Sequence, residues 1–218
     1  MSGEYTDCLP DPPIGEIGGL QTFVATPAEG RPMRDGWPGL IFLHGRGECA
    51  NRKTMSQAFL ENGSAHGPLR RVNPDHERCL RDRFVIATPQ LPENGGNVWH
   101  EHGDAVRDLV AALVQQHGVD TERLSLCGFS FGGNGVVSLA DLHPWHALWA
   151  VDPPMEPPAG LATANIWRFA FGAGATRNRD AWLAVLPVNR RVIVEYGEEH
   201  GLASWRDFAN PASYEGLT

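Results

Sequence analysis

Residues 124–135, LSLCGFSFGGNG, decide the fold of this chain. A short apolar run leads into the pentapeptide GFSFG at 128–132, and residues 133–140 have a helical pattern. Strand, tight turn and helix are the context of a nucleophile elbow, in which glycines two before and two after the serine avoid a collision of side chains. The pattern predicts that the Ser130 hydroxyl stands clear of the backbone as a nucleophile. The N–H of Phe131, at the start of the helix, is a candidate donor to an oxyanion.

The pentapeptide alone is only moderately specific. Composition alone gives about 0.1 expected chance matches to Gly-x-Ser-x-Gly in a chain of this kind. The flanking strand and helix therefore carry the prediction, because a glycine-rich turn without them would have no catalytic meaning.

Size and charge limit the classes of partner. The chain has 218 residues, 42% of them hydrophobic, and a net charge of -8, which predicts a single domain over 1–218 with one well-buried core. No basic stripe or cluster favours nucleic acid or an anionic membrane surface. The N-terminal segment lacks a basic region followed by an apolar one, and no apolar run reaches membrane-spanning length. We expect a cytoplasmic protein whose partner is a small molecule.

The cysteines and the motifs predict no cofactor and no metal. Cys8, Cys49, Cys79 and Cys127 form no CxxC pair, and the nine histidines include no HExxH. Neither a dinucleotide-binding GxGxxG after a strand nor a GxxxxGKS phosphate loop is present. A Cys49–Cys79 disulfide is possible on sequence grounds, but a cytoplasmic location argues against it.

Apolar runs and helical patterns alternate along the chain. After an irregular lead-in over 1–18, strands are predicted at 20–26, 39–43, 84–88, 124–127, 146–151, 166–171 and 191–196, and helices at 51–62, 104–118, 133–140 and 180–186. This alternation predicts an α/β protein whose mostly parallel sheet is flanked by helices on both faces.

Several polar residues directly follow predicted strands. Ser130, Asp152, His200 and the His44-Gly45 loop all do so, and the carboxyl ends of parallel strands gather at one edge of the sheet. A serine needs a base to remove its proton, and His200, on a glycine-flanked loop after the last strand, fits that role. The N–H of Arg46 is the candidate for the second oxyanion donor.

Trp99 has two interpretations. It ends a stretch of turn residues, 93–98, and could line a substrate cleft. Packing of its side chain between the next helix and the core is nearly as consistent with the pattern.

Four segments resemble one known family. FLHGRGE (42–48), VIATPQLPENGGNVW (85–99), VDTERLSLCGFSFGGNG (119–135) and VEYGEEHGLASWRDFANPASYEGL (194–217) resemble the α/β-hydrolase superfamily, particularly small carboxylesterase and phospholipase-like serine hydrolases related to the peptidase and polyhydroxybutyrate depolymerase group. The resemblance runs from about Leu40 to the C-terminus. It implies Ser130 as nucleophile, His200 as general base and the amides of Arg46 and Phe131 as oxyanion donors. It also implies that Trp205 and Tyr214 belong to the closing helix.

The chain departs from this family at the triad acid. Relatives place an aspartate after the penultimate strand, where this chain has Gly172-Ala173-Gly174-Ala175. Two carboxylates are left as alternatives. Asp152 directly follows a strand, whereas Asp180 opens a predicted helix and could be an N-cap, so we favour Asp152.

The predicted function is hydrolysis of carboxylic esters. The same triad would serve a thioesterase or peptidase, and the missing family acid leaves a non-catalytic ligand-binding protein as an alternative from another class. We expect no lid domain, because only 152–165 separate two predicted strands and Pro153, Pro154, Pro157 and Pro158 stiffen that connection. The walls of an open cleft would come from Trp99, 153–158 and the Arg46 loop.

Overall fold

An eight-stranded sheet forms the centre of the molecule. The computed structural model describes residues 10–27, 32, 36–72, 80–93, 98–158, 166–172, 176–186, 188, 191–196 and 199–217. The strands are β1 (Ile14–Ile17), β2 (Leu20–Ala25), β3 (Trp37–Leu43), β4 (Val85–Gln90), β5 (Val119–Phe129), β6 (Ala147–Val151), β7 (Ile166–Phe171) and β8 (Arg191–Glu195). Their spatial order is β1-β2-β4-β3-β5-β6-β7-β8. β2 is antiparallel to both of its neighbours, and β3 to β8 run parallel.

Helices cover both faces of this sheet. They are α1 (Met55–Phe59), α2 (Gly103–His117), α3 (Phe131–Ser138), α4 (Thr176–Val185) and α5 (His200–Ala209). Side chains of successive residues in a strand point to opposite faces, so Ile41 and Leu43 pack in one buried cluster with α2, α3 and α4. Leu40 and Phe42 pack in the other cluster with α1 and α5. The predicted α/β architecture is confirmed.

The predicted lead-in over 1–18 is wrong in part, because β1 lies within it. Gly18 and Gly19 have φ of 58° and 77°, the backbone that a tight two-residue hairpin turn requires at both positions. A Cβ at Gly18 would also lie 2.7 Å from the Ala105 Cα. The Gly18-Gly19 pair is the sequence signal for this hairpin.

Three other elements begin four or five residues away from the predicted start. β5 begins at Val119, which pairs with Trp37, and not at 124. α1 begins only at Met55, after a capping box formed by Thr54 and Gln57. α4 begins at Thr176, so Asp180 lies inside that helix and is not its N-cap.

The sheet brings the ends of its central strands level. Leu43 at the end of β3 is in register with Gly128, and Phe129 at the end of β5 is in register with Val151. Val151 is in turn in register with Ala170 of β7. The residues that follow these strands therefore share one edge of the sheet.

The connection from β6 to β7 comprises residues 152–165, which is too short for a lid domain. Of this connection the structure describes 152–158, including all four prolines. Nowhere in the described ranges is a helix both long and apolar enough to cross a membrane.

Candidate active site

Ser130 occupies a strained turn between β5 and α3. Its φ of 55° and ψ of -118° lie outside the regions that residues with a Cβ normally adopt. The turn is held from both sides, because the Ser130 N–H donates to the Val151 carbonyl at 2.9 Å and the Ser130 carbonyl accepts from Asn134 N–H at 3.1 Å. The side chain is partly exposed although the strand before it is buried. This backbone presents the hydroxyl to solvent at the edge of the sheet.

The positions two residues before and two residues after Ser130 have no room for a side chain, so both must be glycine. A Cβ at Gly128 would lie 2.3 Å from the carbonyl oxygen of Gly132. A Cβ at Gly132 would lie 1.8 Å from the carbonyl oxygen of Leu43. Both contacts are with backbone, which cannot move aside, so the start of α3 packs directly on the end of β3.

The loop after β3 lies against the elbow. A Cβ at Gly45 would be 3.3 Å from the Ser130 Cβ, and the next residue, Arg46, begins a 3-10 turn that ends at Glu48. Phe131 is the first residue of α3, where an N–H has no acceptor within the helix. The structure therefore places both predicted oxyanion donors on segments that border Ser130.

His44 holds this loop in place. Leu91 N–H donates to His44 Nε2 at 2.9 Å, so the ring proton is on Nδ1, which donates to the Gly45 carbonyl at 2.6 Å. The ring is 1% exposed, and burial lowers the pKa of His44 to about 4. His44 is therefore a neutral, structural histidine at neutral pH.

Trp99 does not line a cleft in this structure. Its side chain is 1% exposed, packs edge-on against the His44 ring and donates from Nε1 to the His44 carbonyl at 3.0 Å. A Cβ at Gly135 of α3 would lie 2.7 Å from the Trp99 Cβ. Of the two interpretations of Trp99, the structure therefore agrees with packing in the core beneath the loop and not with the lining of a substrate cleft.

Asp152 and His200 are in contact. His200 Nδ1 lies 3.0 Å from Asp152 Oδ2, and the second carboxylate oxygen accepts from Gly172 N–H at 2.5 Å. Asp152 is 1% exposed and has a φ of 47°, which turns the chain sharply after β6. An ionised carboxylate only accepts, so Nδ1 carries the ring proton and Nε2 is left as a base.

His200 is the first residue of α5 and is not on a loop as predicted. Its ring contacts Phe129, the residue before Ser130, at a centroid distance of 4.7 Å. Within the described part of the chain no hydrogen bond joins the Ser130 hydroxyl to His200. The same helix contains Trp205, whereas Tyr214 ends a separate 3-10 turn, Pro211–Tyr214.

Asp180, the alternative acid, lies elsewhere. Its side chain is 87% exposed and pairs with Arg179 at 2.7 Å. Asp152 is therefore the aspartate that the fold brings to His200.

Sequence reasoning missed a second buried carboxyl beside the elbow. Glu48 is 3% exposed, its Oε1 lies 3.4 Å from Lys53 Nζ and 3.9 Å from His66 Nε2, and burial raises its pKa. Its Oε2 lies 3.2 Å from the position of a Cβ at Gly45. The signal was a glutamate in the HGRGE loop that is predicted to border the nucleophile.

Among the described residues, the site contains neither a cluster of metal ligands nor a disulfide. In the described ranges no group of three or more His, Cys, Asp or Glu side chains could hold a metal ion. Cys49 and Cys127 are free and buried, and Cys79, the other half of the possible disulfide, lies outside the described residues.

The same arrangement of strands and helices occurs in solved hydrolase structures. A lid-less serine hydrolase from Xanthomonas campestris superimposes with a TM-score of 0.61 at 16% identity, over 97% of this chain and 96% of that one. The chain has the α/β-hydrolase fold. A thermophilic esterase from Thermogutta terrifontis gives 0.58 at 15% identity over 93% and 92% of the two chains.

A thermostable esterase with this α/β-hydrolase fold gives a TM-score of 0.62 at 14% identity. The match covers 91% of this chain but only 58% of that longer one. No family model matches the sequence.

Proposed function

We propose that the protein is a serine esterase that hydrolyses carboxylic esters through Ser130, His200 and Asp152. The observation that carries this proposal is the 3.0 Å contact between Asp152 and His200 at the strand edge that also presents Ser130. The α/β-hydrolase fold of esterases and serine hydrolases supports the same chemistry.

In the first half of the proposed reaction, the Ser130 oxygen attacks the ester carbonyl and His200 Nε2 accepts the hydroxyl proton. Asp152 stabilises the imidazolium that results and keeps its ring oriented. The carbonyl oxygen becomes an oxyanion, for which the N–H groups of Arg46 and Phe131 are the proposed donors. Collapse of this intermediate breaks the bond to the alcohol oxygen, which takes the proton from His200.

In the second half, a water molecule attacks the acyl group on Ser130. His200 Nε2 accepts a proton from the water and returns it to the Ser130 oxygen as the acyl–enzyme bond breaks. The carboxylic acid leaves and the enzyme is restored. His200 is 47% exposed on its side chain, so water reaches this base without a change in the fold.

Labelling with a fluorophosphonate tests the nucleophile directly, because such a probe requires an activated serine and no knowledge of the substrate. We expect one adduct per chain on the peptide that contains Ser130. Ser130→Ala should abolish labelling, whereas Ser138→Ala, an exposed serine at the end of the same helix, should label as the unaltered protein does. Labelling that persists in Ser130→Ala would refute the proposal.

A substrate panel then separates esters from the other acyl compounds that a triad hydrolyses. The panel consists of p-nitrophenyl esters and acyl thioesters of matched chain length, together with peptide amides. We expect the protein to hydrolyse the oxygen esters faster than the thioesters and the amides. A labelled Ser130 together with hydrolysis of thioesters or peptides only would retain the nucleophile and reject the ester substrate. An unreactive Ser130 would favour a ligand-binding protein.

A further inference from the structure

A cavity lies beside α5, and its described lining does not include the proposed triad. Its volume is about 620 Å³, within the range of small-molecule sites. Among the described residues it is lined by Arg70, Tyr196, Trp205, Arg206, Ala209, Asn210 and Pro211. None of these is Ser130, Asp152 or His200.

Arg70 is the unusual group in this cavity. Its side chain belongs to a residue that is only 7% exposed, and the guanidinium lies 4.9 Å from the centre of the Trp205 ring. One N–H donates to the Trp205 carbonyl at 3.1 Å. Over the described part of the chain no carboxylate pairs with it, and burial lowers its pKa. A buried positive charge without a counter-ion among the described residues is costly, and an anion bound in this cavity would offset that cost.

A buried donor of one lining residue also lacks a partner among the described residues. Trp205 Nε1 is buried and has no hydrogen-bond acceptor in the described ranges. Buried indole N–H groups are normally hydrogen-bonded. Arg70 and Trp205 thus bring a planar cation and an aromatic face to one cavity, and the unsatisfied indole N–H is buried beside it.

We propose that this cavity is a binding site for a small organic carboxylate, with its anionic group on Arg70 and its apolar part against Trp205 and Pro211. The planar guanidinium matches a carboxylate, which it binds through two parallel hydrogen bonds. A carboxylate has one charge, like the single buried guanidinium, whereas a phosphate monoester would bring nearly two. The apolar lining requires an organic group of some size.

The cavity is joined to the proposed catalytic histidine by stacked rings. Trp205 stacks on His66 at 5.7 Å, and His66 stacks on Phe129 at 4.6 Å. Phe129 in turn contacts His200 at 4.7 Å. The carboxylate would therefore bind at the Trp205 end of this series of rings, and His200 lies at the other end.

Calorimetric titration with benzoate tests the site without any dependence on ester hydrolysis. We expect saturable binding of benzoate and at least ten-fold weaker binding of the neutral isostere benzamide. Arg70→Met, which keeps most of the side-chain stem, should weaken benzoate binding at least ten-fold. The matched control is Arg107→Met, an exposed arginine that pairs with Asp104 on α2, and it should bind as the unaltered protein does.

The location is checked by nuclear magnetic resonance of the indole N–H signals, with Trp205→Phe used to assign the Trp205 signal. Benzoate should shift that signal and benzamide should not. If Arg70→Met fails to fold, Arg70→Lys retains the charge without the planar fork and should bind benzoate more weakly than the unaltered protein. Equal affinity for benzoate and benzamide, unchanged affinity in the Arg70 variant, or no shift of the Trp205 signal would overturn the proposal.

Discussion

His200 Nδ1 lies 3.0 Å from Asp152 Oδ2, although the two residues are 48 positions apart in the chain. The strand β6 ends directly before Asp152, and the helix α5 begins at His200. The Gly172 N–H, at the end of β7, donates to the other oxygen of the carboxylate. The ends of β6 and β7 and the start of α5 therefore fix the orientation of the Asp152 carboxylate toward the His200 imidazole.

Asp152→Asn should lower kcat on the order of 10³- to 10⁴-fold with little change in KM, because an amide does not hold the imidazole in the required tautomer. Steady-state kinetics with a p-nitrophenyl ester measure both constants. Asp180→Asn, an exposed control, should stay within about two-fold of the unaltered protein, as surface changes generally do. The opposite ranking of the two variants would assign the acid to Asp180.

Gly132→Ala should destabilise the fold by about 3 kcal/mol or more, because its Cβ would lie 1.8 Å from the Leu43 carbonyl oxygen. Urea unfolding gives the free energy of unfolding. Gly47→Ala is the matched control, since a Cβ at Gly47 would meet nothing within 4 Å, and it should change stability by less than about 0.5 kcal/mol. Equal losses in the two variants would show that contact at the elbow is not the cause.

Ser130→Gly should be more stable than Ser130→Ala by about 1 kcal/mol, because glycine tolerates a φ of 55° and alanine does not. Neither variant should react with a fluorophosphonate. Thermal unfolding of the pair at one pH measures the difference, and both variants lack the same hydroxyl. If Ser130→Ala were as stable as Ser130→Gly, or more stable, the backbone at the elbow would not be strained.

Much of the sheet could be predicted because buried parallel strands are continuous apolar runs. The residues after these runs can be grouped for the same reason, and this grouping favours Asp152 over Asp180. β1 was missed because Ile14–Ile17 is a four-residue edge strand, largely exposed, whose apolar pattern is weak. Only the Gly18-Gly19 turn indicated it.

The environment of buried polar groups could not be predicted from the sequence. The role of His44 depends on Leu91 N–H, which lies on a different strand end. The position of the Arg70 side chain depends on a hydrogen bond to the Trp205 carbonyl, 135 residues away. Such contacts follow from the tertiary fold and leave no local pattern in the chain.

His44 should make the protein less stable as pH falls from about 6.5 to about 4. Its pKa in the folded protein is lowered to about 4, so the unfolded chain takes up a proton first and stability is lost in that window. The loss should be about 3 kcal/mol, at about 1.4 kcal/mol for each unit of pKa shift. Urea unfolding from pH 7 to pH 4 should show this loss in the unaltered protein and less of it in His44→Gln. His100→Gln, which removes an exposed histidine, should retain the full loss.

Glu48→Gln should gain stability relative to the unaltered protein as pH rises from 5 to 8. Burial raises the pKa of Glu48 above its ordinary value of 4.5, so the folded protein keeps the proton longer than the unfolded chain does. The contribution of this carboxyl is complete below 4.5 and is lost as pH rises through the folded pKa, by at most about 1.4 kcal/mol per pH unit. Its Oε2 has no hydrogen-bond partner among the described residues, and the amide of the variant cannot ionise. The difference in unfolding free energy between Glu48→Gln and the unaltered protein, measured at both pH values, should therefore grow.

Glu61→Gln, an exposed control, should show no such growth. A difference that stays constant or falls for Glu48→Gln would contradict a raised pKa of Glu48.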